Sequence, residues 1–327
     1  MSHLLPPPVN WVKGTETPKS SLPKGDSIMI TKIDNASVGY PITRNGVSFF
    51  PVYIQQHSPL ITTGRSGGVH ITERGDAEVP TLHVNNPTDS PVLLVEGETV
   101  NGGYQNRVLN VSVLVPAASS IDVPVSCVEQ GRWGGGGEFS RGQTFAPRRV
   151  RRQKTSSVSA SLRTDGSRRS DQGSVWRSVQ HELARLGVDN DTVALDGVSN
   201  VFGRGDRLGL DIEKLVQMGP LAGQCGVVVS HGSRIVAADV FGTPDMFACH
   251  WAAVVRSNML DATEAGRTQP SATRALRFLH TFANAATEVA PGVGLGREHH
   301  VTTPRIVGQA LIWDDILVHA SAFALAA

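Results

Sequence analysis

Between residues 27 and 127 the sequence is a series of short β-branched runs separated by turn residues, and this pattern constrains the fold most. Runs over 47–54, 107–115 and 121–127 have strand length, and clusters such as Asn45-Gly46 separate such runs. That spacing is typical of an antiparallel sandwich or barrel. The N-terminal half is therefore predicted to be all-β, with no helix before residue 170.

The period of the apolar residues changes to a helical one after residue 170. One helical stripe consists of Gln172, Val175, Trp176, Val179, Leu183 and Leu186, with Ser170 or Asp171 as its cap. Further helices are predicted to begin near Thr243-Pro244 and Ser271, and hairpins cover 225–241 and 306–323. The fold class is therefore α+β, in which an all-β sandwich or barrel-like half is followed by an α+β half packed against it.

Four segments follow from these patterns. They are an N-terminal extension over 1–26, a β-rich domain over 27–133, a loop over 134–169 and the α+β half over 170–327. The loop is rich in glycine, serine and arginine, and its low apolar content predicts that it is flexible. It is interpreted either as a solvated linker or, over 141–169, as a basic arm for nucleic acid or another phosphate-bearing partner.

Composition narrows the classes of function. The net charge of +1 gives no overall attraction to nucleic acid or membranes. Cys127, Cys225 and Cys249 are widely spaced without a CxxC pair, which fits a reducing compartment. No apolar run approaches the ~18 residues of a membrane span, and residues 1–14 lack the apolar core of a signal peptide. We expect a soluble cytoplasmic protein with no membrane partner.

Two polar motifs lie among the predicted strands between residues 96 and 133. The first combines Glu96-Gly97-Glu98 with Gln105-Asn106-Arg107, and the second is the run SCVEQGRW at 126–133. Polar groups placed against a core are costly unless they are paired. Either these residues pair with one another to fix the fold, or they face a ligand, and the sequence leaves both interpretations open.

The ligand interpretation gives each residue a chemical role. Glu98 and Glu129 are candidate acid and base residues. Arg107 and Arg132 would bind phosphate with forked guanidinium donors, and Trp133 would stack on a base or ribose. The other candidate ligand-binding residues are Gln105, Asn106, Gln172 and Trp176. This interpretation predicts that the two glutamates and two arginines converge on one concavity, which Gln172 or Trp176 closes.

Cys127 is a further catalytic candidate, as a nucleophile. Cys127 and Arg132 are spaced C-x4-R, one residue short of the C-x5-R phosphate loop of phosphatases, and no histidine lies within forty residues of the cysteine. A buried thiol that only packs is the alternative. Glu96, Glu98 and Glu129 also raise the possibility of a divalent cation, but their spacing is weak support, and no metal site or cofactor is predicted.

The same motifs resemble a known family. Gly97-Glu98, the QNR run, the SCVEQGRW run and Gln172-x-x-Val175-Trp176 are similar to the ADP-ribosylglycohydrolase- and rhodanese-phosphatase-associated protein domain. The likeness covers roughly residues 27–323. By association, it implies a role near ADP-ribose or nucleotide metabolism.

Two functional hypotheses follow. The first is a protein that binds or processes a phosphate-bearing nucleotide ligand such as ADP-ribose. The second is a non-enzymatic interaction or scaffold protein, whose polar motifs brace the fold and whose basic loop recruits a partner or nucleic acid. No triad, metal motif or cofactor loop in the sequence names a reaction.

Overall fold

The computed structural model describes residues 30–64, 68–75, 78–131, 134, 137–188, 193–198, 205–262, 266 and 268–325. The extension predicted over 1–26 lies outside these residues, as do the site candidates Arg132 and Trp133. None of the described helices is both long and apolar enough to span a membrane.

The strands are β1 Ser37–Val38, β2 Ile42–Arg44, β3 Val47–Tyr53, β4 Thr62–Thr63, β5 His70–Thr72, β6 Thr81–Asn86, β7 Val92–Leu94, β8 Glu98–Gly102, β9 Arg107–Leu109, β10 Val113–Val115, β11 Ser119–Cys127, β12 Glu129–Gln130, β13 Phe139–Phe145, β14 Val193–Ala194, β15 Gly226–His231, β16 Arg234–Phe241, β17 Thr287–Pro291, β18 Arg297–Thr302, β19 Ile306–Trp313 and β20 Ile316–Ala324. The helices are α1 Thr31–Asp34, α2 Arg148–Asp165, α3 Gln172–Leu186, α4 Arg207–Met218, α5 Pro244–Met259 and α6 Ala272–Ala283, with a short 3-10 helix at Leu195–Val198.

Six of the described strands close a barrel in the order β11-β6-β5-β13-β8-β9. Alternate residues of these strands face inward, and they form an apolar cluster that includes Val84, Val100, Leu109 and Val123. The barrel, together with the helices and the large sheet that follow, confirms the predicted α+β class.

Nine of the described strands form an antiparallel sheet, with β1, β2 and β3 joined to β15–β20. Both faces of this sheet are apolar, because neighbouring residues such as Phe49 and Phe50 belong to different core clusters. Phe50 lies in the cluster shared with α1 and α6, and Phe49 lies in the cluster shared with α4, α5 and residues of β7, β10 and β13. The large sheet therefore packs against α1 and α6 on one face, and against α4, α5 and residues of β7, β10 and β13 on the other.

The predicted starts of the C-terminal helices are confirmed by their caps. The side chain of Asp171 accepts from the amide of Ser174 at the start of α3. Thr243 and Ser271 cap α5 and α6 in the same way, and Pro244 stands in the first turn of α5. These caps depend only on neighbouring residues, which is why the sequence predicts them.

The prediction of a flexible loop over 134–169 is wrong where the structure describes this segment. Residues 139–145 form β13, which closes the barrel, and residues 148–165 form α2. Arg148, Arg151 and Lys154 recur at helical spacing on the buried side of α2. Their partners are carboxylates from distant segments, so a high local charge did not mean solvent exposure here.

The segment boundary predicted between residues 133 and 170 does not separate the two sheets. β3 comes from the N-terminal half but pairs with β15 over residues 47–52. β13 lies after the predicted β-rich domain but pairs with β8 and β5 of the barrel. Each sheet therefore contains strands from both sides of the predicted boundary.

Candidate functional site

The two polar motifs meet at one end of the barrel, where β9 pairs with β11. Arg107 is in register with both Val100 and Cys127, so the three side chains share one face of the sheet. The Arg107 guanidinium is fully buried, and its Nη1 donates to the carbonyl and to Oε1 of Gln105, at 2.8 and 3.3 Å. Oε1 of Glu73 lies 3.8 Å from Nη2.

Glu129 is bound by the first motif. Its Oε2 accepts from the backbone amide of Asn106 at 3.0 Å, and its carbonyl accepts from Gln105 Nε2 at 3.1 Å. Asn106 Oδ1 in turn accepts from the amide of Gly102. The QNR run and the second motif therefore hold one another and fix the β8–β9 connection against β11, which is what the structural interpretation predicts.

Cys127 is buried in the same group, where its thiol lies 3.2 Å from Gln105 Oε1 and 3.0 Å from the Glu129 carbonyl. Burial raises the pKa of this thiol, and the nearby Arg107 guanidinium and the Trp176 indole offset only part of the effect. At neutral pH Cys127 is therefore a protonated thiol, which argues against its candidacy as a nucleophile.

Gln172 connects α3 to the barrel, as its place at the head of an apolar stripe indicated. Its Oε1 accepts from the amide of Cys127 at 2.9 Å, and its Nε2 donates to the carbonyl of Cys127 at 2.7 Å. The side-chain amide thereby binds the backbone of β11 at Cys127 in the way that a neighbouring strand would. Gln172 satisfies two backbone groups of the second motif.

We expect Gln172→Ala to lower the free energy of unfolding by about 1–3 kcal/mol, because both backbone groups of Cys127 lose their partner. Urea unfolding followed by circular dichroism measures the change. Gln180→Ala is the matched control, since Gln180 is an exposed glutamine of the same helix that contacts only Gln130 through its amide. A Gln172→Ala protein of unchanged stability would contradict the structural role.

Glu98 has a partner of its own. Arg141 of β13 binds it with two parallel hydrogen bonds of 2.6 Å, and the backbone amide of Val95 donates to Oε2 at 3.2 Å. Burial raises the pKa of Glu98, but Arg141 outweighs burial and holds the pKa below its usual value. Arg141 also donates to the carbonyls of Gly64 and Leu93. Glu98 is thus an ionised carboxylate in a bidentate pair that joins β8 to β13.

Gly97 separates the roles of its two neighbours. It has φ +83°, and a β-carbon there would collide with the side chain of Arg151. Because of this turn, the side chains of Glu96 and Glu98 do not lie on one face of a continuous strand, and the two glutamates have different partners. Glu96 binds Arg151 and Lys154, whereas Glu98 binds Arg141.

Glu96 belongs to a fully buried ionic network that joins the barrel, α2 and the large sheet. Nη2 of Arg151 lies 2.8 Å from Glu96 and 2.6 Å from Asp239 of β16. Lys154 Nζ lies 2.8 Å from Glu96, and Ser321 of β20 donates to the same carboxylate at 2.9 Å. Burial raises the pKa of Glu96, but the two cations outweigh burial and lower the pKa to about 2. The network is balanced, with two carboxylates and two cations.

A different group of residues forms a cavity of about 860 Å³ between α2, the β15–β16 hairpin and α6. Among the described residues, those that line it include no carboxylate but seven arginines: Arg148, Arg149, Arg152, Arg234, Arg274, Arg277 and Arg305. Asp261 and Glu182 lie behind the lining and bind two of them. Arg148 is 2.9 Å from Asp261, and Arg149 is 3.3 Å from Glu182.

The other five arginines form no ion pair with any residue that the structure describes, and four of these five are exposed. The fifth, Arg152, is half-buried in the wall of the cavity. Burial lowers the pKa of Arg152, and the nearby guanidinium groups of Arg148 and Arg149 lower it further, while Asp261 and Glu182 offset only part of this effect. The cavity therefore contains a cluster of positive charge that the described protein atoms leave largely uncompensated.

The sequence contained a signal for this cavity that the loop interpretation hid. On α2, Arg148, Arg151 and Lys154 recur every three residues and are buried, while Arg149 and Arg152 follow them by one position. The helical period therefore places Arg151 and Lys154 in the buried network and Arg149 and Arg152 at the cavity, while Arg148 is buried and also lines the cavity. Arg274 and Arg277, three residues apart on α6, complete the wall.

The fold and these features define a class: an α+β protein in which a barrel and a large sheet are joined by a buried ionic network, with an arginine-lined cavity beside the joint. The chain belongs to the ARG and Rhodanese-Phosphatase-superfamily-associated Protein domain family, ARPP-1, whose model matches residues 35–323. This confirms the predicted resemblance. No curated protein and no solved structure matches the chain.

Proposed function

We propose that the protein binds a phosphate-bearing nucleotide, ADP-ribose or a relative, in the arginine-lined cavity. The observation that carries the proposal is Arg152, a half-buried guanidinium without an ion-pair partner among the described residues, in a cavity wall where those residues include no carboxylate. A charge removed from water is costly unless an opposite charge compensates it. A phosphate group supplies that charge, and guanidinium donors match its geometry.

The size and the remaining lining of the cavity fit the same ligand class. A volume of about 860 Å³ lies within the ~300–1,000 Å³ usual for small-molecule sites. Phe278, Ile235 and Ile306 add an apolar surface beside the arginines, on which a base or ribose can pack. The family name, which refers to ADP-ribosylglycohydrolase, supports a ligand of this kind by association. The proposal keeps the ligand class predicted from the sequence but uses none of the motif residues as contacts.

Titration calorimetry with ADP-ribose, pyrophosphate and adenosine tests the proposal. We expect Arg152→Met to weaken ADP-ribose binding by about tenfold or more, because hydrogen bonds between charged groups are lost. Arg163→Met is the matched control, since Arg163 is an exposed arginine of α2 that lines no part of the cavity. Phe278→Leu should weaken ADP-ribose binding and leave pyrophosphate binding unchanged, which separates a nucleotide site from a simple anion site.

Two results would contradict the proposal. One is the absence of both heat and a thermal shift with every one of these compounds. The other is equal weakening by Arg152→Met and Arg163→Met, because that would indicate diffuse attraction to a basic helix.

The second hypothesis, a non-enzymatic interaction protein, is also favoured by a specific observation. The bidentate Glu98–Arg141 pair and the double hydrogen bond of Gln172 to Cys127 are structural contacts, as that hypothesis requires of the motifs. In this proposal the exposed arginines of the cavity rim contact a nucleic acid. Salt-sensitive binding of an oligonucleotide, with no measurable binding of ADP-ribose, would favour it over the first proposal.

A further inference from the structure

A second cavity of about 540 Å³ lies next to the first, between α2 and α3. Arg149 and Arg152 line both cavities. The rest of its wall comes from α2 and α3: Gln153, Ser174, Arg177, Ser178, His181 and Glu182. The two cavities are therefore adjacent and have Arg149 and Arg152 in common.

The second cavity is positively charged as well. Its one carboxylate among the described lining residues, Glu182, has a side chain with no solvent exposure and is already bound by Arg149 and Arg185, at 3.3 and 2.6 Å. Arg177 is exposed and donates to Ser174 Oγ at 2.6 Å, and it has no ion pair with a described residue. A ligand entering this space thus meets arginine and hydroxyl donors, while the acid is covered.

Arg152 is the group that can serve both spaces. A guanidinium has five N–H donors in a planar fork, and that of Arg152 makes no hydrogen bond to any described residue. Its donors are available to oxygen atoms in either cavity. Arg177 lines only the small cavity, so a phosphate in the large cavity leaves the donors of Arg177 and some of those of Arg152 available to a second phosphate.

We infer that the two cavities form one bipartite site for a linear ligand with two separated phosphate-bearing units, in which Arg152 contacts both units and Arg177 contacts the second. This inference rests on the proposed function, and it specifies the substrate class further: a dinucleoside polyphosphate or similar compound instead of a single nucleotide. The large cavity holds one nucleotide unit against Phe278. The small cavity holds the second phosphate group between Arg177 and Ser178.

The experiment compares a short and a long probe of the same chemistry, ADP and diadenosine tetraphosphate, by titration calorimetry on the full chain. Arg177→Ala should weaken binding of the long probe about tenfold and leave ADP unchanged, because the substitution removes only contacts of the second unit. Arg277→Ala should weaken both probes. Arg169→Ala is the matched control for Arg177, since Arg169 is exposed and lines neither cavity.

Each outcome bears on a different claim. If Arg177→Ala leaves the affinity for the long probe unchanged, or weakens both probes equally, the bipartite site is overturned while nucleotide binding stands. If neither probe binds the wild-type protein, the proposed function and this inference fail together. An affinity for diadenosine tetraphosphate no higher than that for ADP would also overturn the inference, because a second contact region must add affinity.

Discussion

Replacing Arg151 with methionine is expected to lower the free energy of unfolding by about 3–5 kcal/mol, the largest effect among the substitutions proposed for this protein. Arg151 compensates both Glu96 and Asp239 in a region without solvent exposure. Its removal leaves Lys154 beside Glu96 and leaves Asp239 with only the His319 ring, at 3.7 Å, among the described ion-pair partners. Methionine fills much of the volume of the arginine side chain, so the loss of stability measures mainly the removal of the guanidinium charge.

Urea unfolding monitored by circular dichroism measures this loss. Arg163→Met, on the exposed side of the same helix, should change stability by less than about 0.5 kcal/mol. The double variant Arg151→Met, Asp239→Asn should be more stable than Arg151→Met alone, because Glu96 keeps Lys154 and the uncompensated charge of Asp239 is gone. A further loss of stability in the double variant would show that packing, and not charge, dominates at this joint.

The second large effect is a loss of stability on acidification, to which His250 contributes. Burial lowers the pKa of His250 to about 4 from its ordinary value of 6.5. Glu98 and Asp239 oppose this effect, while Arg141 and His319 add to it. Between these two pH values the unfolded chain binds a proton that the folded chain does not bind, so stability falls as the pH falls. The shift of His250 corresponds to about 3 kcal/mol.

Other groups act in the same direction. The pKa of His231 and that of His299 are each lowered to about 4, chiefly by burial, so both steepen the loss between pH 6.5 and 4. The pKa of Glu96 is about 2 in the folded protein, against 4.5 ordinarily. Its contribution is complete above pH 4.5 and is lost as the pH falls toward 2.

The variant His250→Gln tests the assignment. Thr63 Oγ1 donates to the carbonyl of Leu93, so His250 Nε2 is the donor to that hydroxyl, at 2.8 Å. A glutamine amide can keep this hydrogen bond but does not titrate. We expect lower stability at pH 7 and a visibly flatter dependence between pH 6.5 and 4, measured by urea unfolding at a series of pH values. His181→Gln is the exposed control, and an unchanged slope in His250→Gln would refute the assignment.

The sequence predicted those parts of the fold whose causes are local. The caps at Asp171, Thr243 and Ser271 act over three residues, and the hairpin over 306–323 depends on the turn at Asp314-Asp315, where both residues have positive φ. Such features can be read directly from neighbouring residues.

The parts that were missed have partners far apart in the chain. Arg141 binds Glu98 across 43 positions, and Arg151 binds Asp239 across 88. The many charged residues around residue 150 therefore suggested that this segment is exposed to solvent. The carboxylates that compensate them lie far away in the sequence. The same reason explains the candidate site. The polar motifs were recognisable in the sequence, but the arginines of the cavity come from α2, β16, α6 and the residue before β19, which are far apart in the chain.

The exchange of strands between the two sheets has a consequence for how this protein can be divided. A fragment that stops near residue 134 lacks β13 and cannot close the barrel, while it keeps β3, whose partner β15 is missing. The complementary fragment has an open sheet edge at β15 and an α2 whose buried cations have lost Glu96. Neither piece is a module that could be transferred to another protein by itself. The chain from β1 to β20 is therefore one structural unit. The family match covers nearly the same part of the chain, residues 35–323.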